Sequence, residues 1–509
     1  MRPVVLAAAL GAAALAPRVA AALPVTVTDG AELRAAVEGA AAGDVITLAP
    51  GTYDVTGNLS AAAVGTAAAP ITVRAAALGE ALLRFDALEG FHVTAPYWVF
   101  ENLDIQGVCA LDDDCEHAFH VTGAADWTVI RGCRLHDFNA MIKGNGTPSG
   151  PGGAYVWPDD VRVEGNELFD AAPRDTANPV TPIDVVGGRR WILRANFIHD
   201  HAKALGDNIS YAAFLKGNSR DGLIERNLVW CEMLHTGLVR LGLSFGGGGT
   251  SPDSICEDGT CTPEHQGGTM RNNIVVHCPA DVGIYVNEGL NVGVYNNTLY
   301  DTTGLDVRFA ATVADVRNNL LMGAVRLRDG ATATLGSNIE GLTAADFAAW
   351  FAAPGAADFG LTDGTAFVDL GETLAAVPDD YCANLRDDGL NDVGAVEYDG
   401  DGPCDTTRPA LGPGGGGGTD ASASSADAGA GAGGDGGAPG ADTGADDGGG
   451  GGNGGGGARG GCGCVAAGGG AAQSPAGVAA GALSLLGLVL SSVRRGARRA
   501  GARIRRRVR

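Results

Sequence analysis

The stretch Leu193-Arg-Ala-Asn196-Phe-Ile recurs 31 residues later as Ile224-Glu-Arg-Asn227-Leu-Val, and this recurrence decides the fold. The same pattern, an asparagine flanked by apolar residues, runs through the middle of the chain. Its members are Asn102, Cys133 in place of asparagine, Asn166, Asn196, Asn227, Asn273, Asn297 and Asn319. Their successive spacings are 31, 33, 30, 31, 46, 24 and 22 residues. A period of about 20–50 residues indicates stacked structural repeats, with the longer spacings carrying inserted loops.

The segments around each asparagine are short, alternate in hydropathy and are rich in β-branched residues, so they read as strands. One asparagine per coil can satisfy inward-pointing backbone groups and bond to its copies above and below. We therefore predict an all-β fold: a single-stranded right-handed parallel β-helix, continuous from about residue 45 to 340. Asp29-Gly-Ala-Glu-Leu-Arg-Ala-Ala-Val predicts a capped amphipathic helix that closes the first coil, before a strand that follows Asp44.

Over residues 25–340 the chain resembles the pectate-lyase-like superfamily of right-handed β-helices. The resemblance is carried by Gly43-Asp-Val-Ile-Thr-Leu-Ala-Pro-Gly-Thr-Tyr and by Ala69-Pro-Ile-Thr-Val-Arg-Ala. Near the other end, Asn391-Asp-Val-Gly-Ala-Val-Glu-Tyr is similar to the closing segment of many bacterial surface β-helices. Such motifs specify a fold and leave the chemistry open, because one fold hosts unrelated functions.

Both ends of the chain read as targeting segments rather than as folded structure. Residues 1–22 have an early charge, an apolar run and a small-residue end, which predicts a cleaved signal peptide; a lone membrane anchor is the alternative. Residues 411–461 form a Gly/Ala/Asp-rich linker, predicted to be disordered. Residues 462–509 contain Cys462 and Cys464, an apolar stretch that predicts a transmembrane helix, and nine terminal arginines. This tail resembles the MYXO-CTERM class of sorting tails, which implies retention at the cell surface or outer envelope, with anchoring or release by processing.

Between these ends we expect the β-helix over residues 23–345 and a C-terminal closing segment over 346–410. The net charge of −24 argues against nucleic acid as a partner. Export favours disulfides among the 11 cysteines. Cys109 with Cys115 and Cys256 with Cys261 are expected as local disulfides, and Cys231 should lie close enough to Cys278 to pair. Cys382 and Cys404 are also expected to form disulfides, and the sequence leaves the full connectivity open. Asp112, Asp113 and Asp114, in the loop closed by Cys109 and Cys115, suit calcium better than the cysteines suit zinc.

Lysine is rare in this chain: Lys143, Lys203 and Lys216 are its three examples, and all lie in the long-spaced coils. Aligning Phe214-Leu-Lys216 with Leu238-Val-Arg240 places Lys216 and Arg240 at one position of successive coils. That pair is similar to the Lys and Arg of the alginate lyase and chondroitinase B family, which implies Lys216 as general base and Arg240 as its partner in β-elimination. Strand parity leaves their direction open. Where that family has acidic calcium ligands, the candidates for metal binding here are Asp207 and Asn208.

A second cluster, His199-Asp-His201 with Lys203, could exchange protons or bind metal; the alternative is a coil corner in which the aspartate caps a turn. Exposed aromatic residues could stack on sugar rings or cover the core. The aromatic candidates are Tyr155, Trp157, Tyr211 and Trp230. The candidate substrate-binding residues are Lys143, His199, His201, Lys203, Trp230 and His235.

Two hypotheses follow from the sequence. In the first, an exported surface protein cleaves a uronic-acid-containing extracellular polysaccharide by β-elimination, with calcium as the candidate cofactor. In the second, the β-helix is a non-catalytic surface spacer or glycan-binding adhesin. No paired aspartates with a Gly-His-Gly segment are recognisable, so hydrolysis of the polygalacturonase kind is not favoured.

Overall fold

Three long sheets form the walls of a parallel β-helix in the computed structural model, which describes residues 24–150, 153–247, 256–387, 389–398 and 404–409. Sheet A contains 14 strands: Pro24–Val27, Val45–Leu48, Ile71–Ala75, Trp98–Glu101, Val129–Arg131, Arg162–Glu164, Ile192–Arg194, Ser219–Arg220, Leu223–Glu225, His265–Gln266, Thr269–Arg271, Gly289–Tyr295, Val313–Arg317 and Thr332–Gly336. Sheet B contains 11 strands: Gly51–Thr56, Ala81–Asp86, Asp104–Gly107, Arg134–His136, Glu167–Phe169, Phe197–His199, Leu228–Trp230, Ile274–Cys278, Thr298–Thr302, Leu320–Met322 and Ile339–Leu342. Sheet C contains 10 strands: Leu59–Ala61, Glu89–Val93, His117–Thr122, Ile142–Asn145, Ile183–Val186, Ile209–Lys216, Val239–Phe245, Ile284–Asn287, Gly304–Arg308 and Ala324–Arg328. All pairing within these sheets is parallel, so the predicted fold class is confirmed.

The asparagine repeat forms a buried ladder between sheets A and B. In each rung the side-chain oxygen of one asparagine accepts the backbone N–H of the equivalent residue in the preceding coil, at 2.9–3.1 Å. The ladder runs from Cys133 through Asn166 to Asn338, one rung beyond the last position that the sequence predicted.

Asn102 was wrongly assigned to the ladder. Arg131 pairs with Glu101, and Arg134 pairs with Asp104, so the residue that aligns with Cys133 is the buried Leu103. Asn102 falls one place earlier, where the backbone turns between sheets A and B with a φ of 56°. Gly132, Gly165, Ala195 and Arg226 among others share this left-handed conformation. Asparagine suits both the turn and the ladder, because it adopts a positive φ more readily than most residues and its amide can form the ladder bonds. The spacing of asparagines alone therefore did not distinguish the two positions.

The helix Gly30–Glu38 covers the first coil, as predicted. Asp29 caps it by accepting the N–H groups of Ala31 and Glu32, and Leu33 and Val37 are buried against the coil beneath. The lid therefore covers the apolar interior that an open coil would expose to water.

The C-terminal closing segment packs along the outside of sheet B. It contains the helix Ala344–Trp350, a 3-10 turn at Pro354–Ala356, and the antiparallel strands Phe351–Ala353 and Asp358–Leu361. Phe347, Phe351 and Phe367 join one apolar cluster with Leu228 and Val276 of sheet B. The outer face of sheet B is therefore covered over these coils.

Cys109–Cys115, Cys231–Cys278 and Cys256–Cys261 form disulfides as expected, and Cys382 is bonded to Cys404. The Cα atoms of Cys231 and Cys278, which come from successive coils, are 5.1 Å apart. Cys133 is a buried free thiol. The predicted signal peptide, linker and sorting tail lie outside the described residues, and within the described residues no helix has the length and apolar character of a bilayer span.

Candidate functional site

The outer face of sheet A is occupied by charges that neutralise one another. Glu101, Arg131, Glu164, Arg194, Glu225 and Arg271 stand at one register position in six successive strands, with alternating sign. Arg194 lies 3.2 Å from Glu164 and 2.5 Å from Glu225, and Arg271 lies 2.6 Å from Glu225. Glu225 is fully buried; burial would raise its pKa, but the surrounding arginines hold it below the ordinary value. This face is internally paired, which suits stability better than ligand binding.

The outer face of sheet B carries a stack of rings instead. His136, Phe169 and His199 occupy one register position, with neighbouring ring centroids 5.1 and 4.7 Å apart. Trp230 continues this row. It packs against the apolar cluster that sheet B and the closing segment share, and its indole N–H donates to Glu232 O at 3.2 Å. The structure therefore does not support Trp230 as a sugar-stacking platform.

The outer face of sheet C carries a line of mostly ionisable side chains, which we call the ionisable row. His92, His120, Lys143 and Asp184 occupy one register position in four successive strands, and Phe214 occupies it in the fifth. Successive strands in a sheet are about 4.8 Å apart, so these side chains form a line parallel to the helix axis. This line places two imidazoles, an ammonium and a carboxylate together on one surface.

Lys143 and Lys216 both act on Asp184. Lys143 Nζ lies 2.8 Å from Asp184 Oδ2. Burial of Asp184 would raise its pKa, but the ammonium groups of Lys143 and Lys216 hold it below the ordinary value. Lys216 stands two residues beyond Phe214 on the same side, with Nζ 4.3 Å from the centre of that ring. The two lysines thus make this part of the row electropositive around one carboxylate.

Glu89, His92 and His120 form the other end of the row. His120 Nδ1 lies 2.7 Å from Glu89 Oε1, and His92 Nδ1 lies 3.8 Å from Glu89 Oε2. The two imidazole rings are stacked, with centroids 5.3 Å apart. His120 Nε2 contacts Asn145 Oδ1 at 2.6 Å. These three side chains are the group of metal-type donors that the described residues bring within 4.8 Å of one another.

His117 lies beside this cluster, with its ring centroid 5.1 Å from that of His120. Its Nδ1 atom contacts Ala140 O at 3.0 Å, which fixes the neutral tautomer with the proton on Nδ1. Burial, reinforced by the neighbouring cations, lowers the pKa of His117 to about 3. The imidazole is therefore neutral near pH 7.

Two chain segments flank the ionisable row. An antiparallel hairpin, Thr147–Pro148 with Tyr155–Val156, follows the strand that ends at Asn145, and Tyr155 on it is exposed. At the opposite ends of the strands, the loop before Ile183 is held by Asp112 and Asp113. Arg174 Nη1 lies 3.1 Å from Asp112 Oδ1, and Asp113 accepts from the Thr176 hydroxyl. These aspartates fix a loop, so the structure does not support them as calcium ligands.

The proposed catalytic pair of Lys216 and Arg240 is wrong. Arg240 pairs with Ser210 in the neighbouring strand, whereas Leu215 pairs with Phe245. Lys216 is therefore displaced from Arg240 by six residues, or about 20 Å along the strands. Arg240 is 1% exposed and donates to the carbonyl groups of Cys231 and His235. A slip of six residues is even, so it preserves the alternation of inward and outward side chains, and the apolar pattern could not reveal it.

The cluster of His199, His201 and Lys203 is a coil corner. His201 is fully buried, its Nε2 atom contacts Leu241 O at 3.0 Å, and burial lowers its pKa to about 3. Lys203 is 4% exposed and pairs with Asp207 at 2.6 Å. Asp200 between the histidines accepts three backbone N–H groups of the following loop at 2.8–3.1 Å. None of the three candidate residues is free to bind a glycan.

The remaining candidates also have structural partners. His235 accepts from the Arg240 guanidinium at 2.8 Å and contacts Asp170 O at 3.1 Å. Asp207 accepts from the backbone of Ile209 as well as from Lys203, and Asn208 takes the left-handed conformation of a turn. A calcium ion at Asp207 and Asn208 would compete with the ammonium group already bound there.

Of the predicted site residues, Lys143 lies in the ionisable row and Lys216 lies beside it, although Lys216 was predicted as a catalytic base paired with Arg240. Glu89, His92, His117, His120 and Asp184 were missed. A signal for two of them was present, because Phe91-His92-Val-Thr is repeated as Phe119-His120-Val-Thr. This repeat lies before Cys133, outside the coils that contain the three lysines.

No protein-family model matches the chain, and no curated protein matches its sequence. Among solved structures, pectate lyase Pel9A aligns over 74% of this chain and 96% of its own, with 15% identity and a TM-score of 0.48. An alginate lyase from Paenibacillus sp. str. FPU-7 aligns over 62% and 95%, with 18% identity and a TM-score of 0.35. A rhamnogalacturonan lyase aligns over 64% and 90%, with 14% identity and a TM-score of 0.39. At such low identity, what these proteins act on is not carried over to this chain.

Proposed function

We propose that this protein acts on an acidic extracellular polysaccharide that lies along the outer face of sheet C, and that it cleaves a uronic acid unit by β-elimination. The observation that carries the proposal is the ionisable row. It places Lys143 and Lys216 beside three imidazoles on one surface. The same class of substrate appears in the names of the three solved structures above, but the proposal does not depend on them.

The shape of the face suits a linear polymer. Five successive strands carry the row from His92 to Phe214, a length of about 19 Å at the usual strand spacing. The flanking hairpin and loop stand at opposite ends of these strands, so a chain lying parallel to the helix axis would pass between them. Paired charges occupy the outer face of sheet A, and the closing segment covers the outer face of sheet B over its later coils. On sheet C the side chains of His92, His120 and Lys143 are 32%, 16% and 20% exposed, so a ligand can reach this end of the row.

The residues also supply the groups that elimination requires. Lys143 and Lys216 would neutralise the uronate carboxylate, which makes the proton on the adjacent carbon more acidic. An uncharged imidazole of this face would accept that proton. The electron pair of the broken C–H bond then forms the double bond between the α and β carbons, while the bond from the β carbon to the glycosidic oxygen breaks. The leaving oxygen takes a proton from solvent, so the products are a new sugar hydroxyl and an unsaturated uronate.

The test is an elimination assay on a panel of polyuronates, with ultraviolet absorbance of the unsaturated product as the readout. Wild type, Lys143→Met and Arg84→Met are compared. Arg84 is a half-exposed cation on sheet B, paired with Asp54 at 3.1 Å, and serves as the matched control. We expect product from wild type and from Arg84→Met, and at least about a 100-fold loss in Lys143→Met, the range for one group acting on transition-state charge.

Binding of the same polyuronates is measured in parallel. If no polyuronate is cleaved but wild type binds one and Lys143→Met does not, elimination is wrong and the glycan-binding adhesin is correct. Equal activity in wild type and Lys143→Met would show that the ionisable row is not the site.

The proposal includes export. The signal peptide and the Arg-rich tail predicted from the sequence support a location at the cell surface or outer envelope, and four disulfides suit an oxidising compartment. Fractionation of cells that express the full chain tests this. Recovery in the cytoplasm with free thiols would contradict it.

A further inference from the structure

We propose that Glu89, His92 and His120 bind a divalent transition-metal ion of the zinc class at the end of the ionisable row. Two imidazole nitrogens and one carboxylate oxygen are a common donor set for such ions, whereas calcium prefers six to eight oxygen ligands. The ion would therefore differ in kind from the calcium that the sequence suggested.

The backbone brings these donors together without long loops. His92 and His120 pair in register on neighbouring strands, and Glu89 precedes His92 by three residues on the same strand. The rings lie nearly parallel, 15° apart, and the Nδ1 atoms of both face the Glu89 carboxylate. Donor atoms around a tetrahedral zinc ion are about 3.4 Å apart, from bond lengths near 2.1 Å. The observed separations of 2.7 and 3.8 Å lie on either side of that value.

The contacts around the histidines favour an ion between their Nδ1 atoms. Asn145 Nδ2 donates to Gly146 O at 3.0 Å, which orients the amide so that Oδ1 faces His120 Nε2. This orientation lets His120 donate from Nε2 to Asn145, while its Nδ1 atom faces the Glu89 carboxylate. A cation placed between this nitrogen and the carboxylate would be bound by both. His92 has a similar neighbour, since its Nε2 lies 3.4 Å from Thr122 Oγ1.

Asn145 and Thr122 would thus be the outer partners that metal-binding histidines usually have. The side chains of His92, Glu89 and His120 are 32%, 21% and 16% exposed, so an ion could enter and would keep a coordination position open to solvent. An ion there would add positive charge next to Lys143. The inference that the ion helps to bind a uronate carboxylate rests on the proposed function, whereas the inference that the ion binds here does not.

The experiment is calorimetric titration of the chelator-treated full chain with Zn²⁺, followed by Co²⁺ absorption spectroscopy to report the donor set. We expect one site per chain, with affinity reduced at least about 100-fold in His120→Ala and in Glu89→Gln. Asn145→Ala should weaken binding by about 10–100-fold, the usual effect of an outer partner. His277→Ala is the matched control, because His277 also contacts a carboxylate, Asp301, at 2.8 Å.

Glu89→Gln keeps the size of the side chain, so it tests the ligand even if His120→Ala fails to fold. No Zn²⁺ binding by wild type, binding that is unchanged in Glu89→Gln, or tighter binding of Ca²⁺ than of Zn²⁺ would overturn the proposal. Metal binding without elimination would leave the metal site standing and contradict only the proposed function. Elimination that persists after the metal is removed would show that the ion has no part in the reaction.

Discussion

Replacing Asn227 with alanine tests the buried ladder that holds successive coils in register. Asn227 Oδ1 accepts from the backbone N and from Nδ2 of Asn196, at 2.9 and 3.0 Å, and Asn227 Nδ2 donates to Leu193 O and to Asn273 Oδ1, both at 2.9 Å. Alanine leaves the buried backbone N–H of Asn196 without an acceptor. Asn196 Nδ2, Leu193 O and Asn273 Oδ1 each lose one hydrogen bond. At about 1–3 kcal/mol for each unsatisfied buried group, we expect the free energy of unfolding to fall by about 2–5 kcal/mol.

Equilibrium urea denaturation measures this change, with Asn102→Gly as the control. Asn102 belongs to the same sequence pattern but makes none of the ladder bonds, and glycine already occupies its place in the next two coils, at Gly132 and Gly165. Asn102→Gly should therefore alter the free energy of unfolding by less than about 1 kcal/mol. A loss below about 1 kcal/mol in Asn227→Ala, or equal losses in the two variants, would refute this account of the ladder.

Two further predictions concern stability. Burial lowers the pKa of His201 and of His265 to about 3. A histidine in the unfolded chain has a pKa near about 6.5, so the unfolded state binds more protons than the folded state between about pH 3 and pH 6.5. Each of these two histidines contributes stability that is complete above about pH 6.5 and falls by up to about 1.4 kcal/mol per pH unit as pH decreases toward 3. His265→Gln should therefore reduce the pH slope of the free energy of unfolding by about 1.4 kcal/mol per pH unit, as urea denaturation at several pH values would show; an unchanged slope in that variant contradicts the prediction. Replacing both Cys231 and Cys278 with serine opens a loop with a sequence separation of 47 and should lower the free energy of unfolding by about 4 kcal/mol. A loss below about 1 kcal/mol would show that the disulfide does not restrain the unfolded chain.

The fold could be predicted from the sequence because its main determinants repeat. Each coil must supply an inward amide and short alternating strands, and these requirements appear at Asn166, Asn196 and the later rungs at readable spacing. The lid helix was equally readable, since Asp29 caps it and Leu33 and Val37 mark its buried side. The position of Asn102 was not, because asparagine satisfies two adjacent roles in the turn.

The candidate site was harder to predict because it depends on register between coils. Lys216 and Arg240 were paired by an alignment that was wrong by six residues, and alternation cannot detect an even slip. His201 and Lys203 are buried, which argues against the binding roles predicted for them. The sequence shows them only as polar residues at a coil corner. His92 and His120 carried a readable signal, the repeated Phe-His-Val-Thr, but it lies before Cys133, outside the coils that contain the three lysines.

The most direct measurement of the central claim is a crystal structure of the protein with an oligouronate bound. We predict that the sugar chain lies along the outer face of sheet C, with a carboxylate within about 4 Å of the ammonium group of Lys143 or Lys216, the reach of an ion pair. An oligouronate bound to the outer face of sheet A or sheet B, or a face of sheet C that stays empty at saturating ligand, would contradict the proposed site.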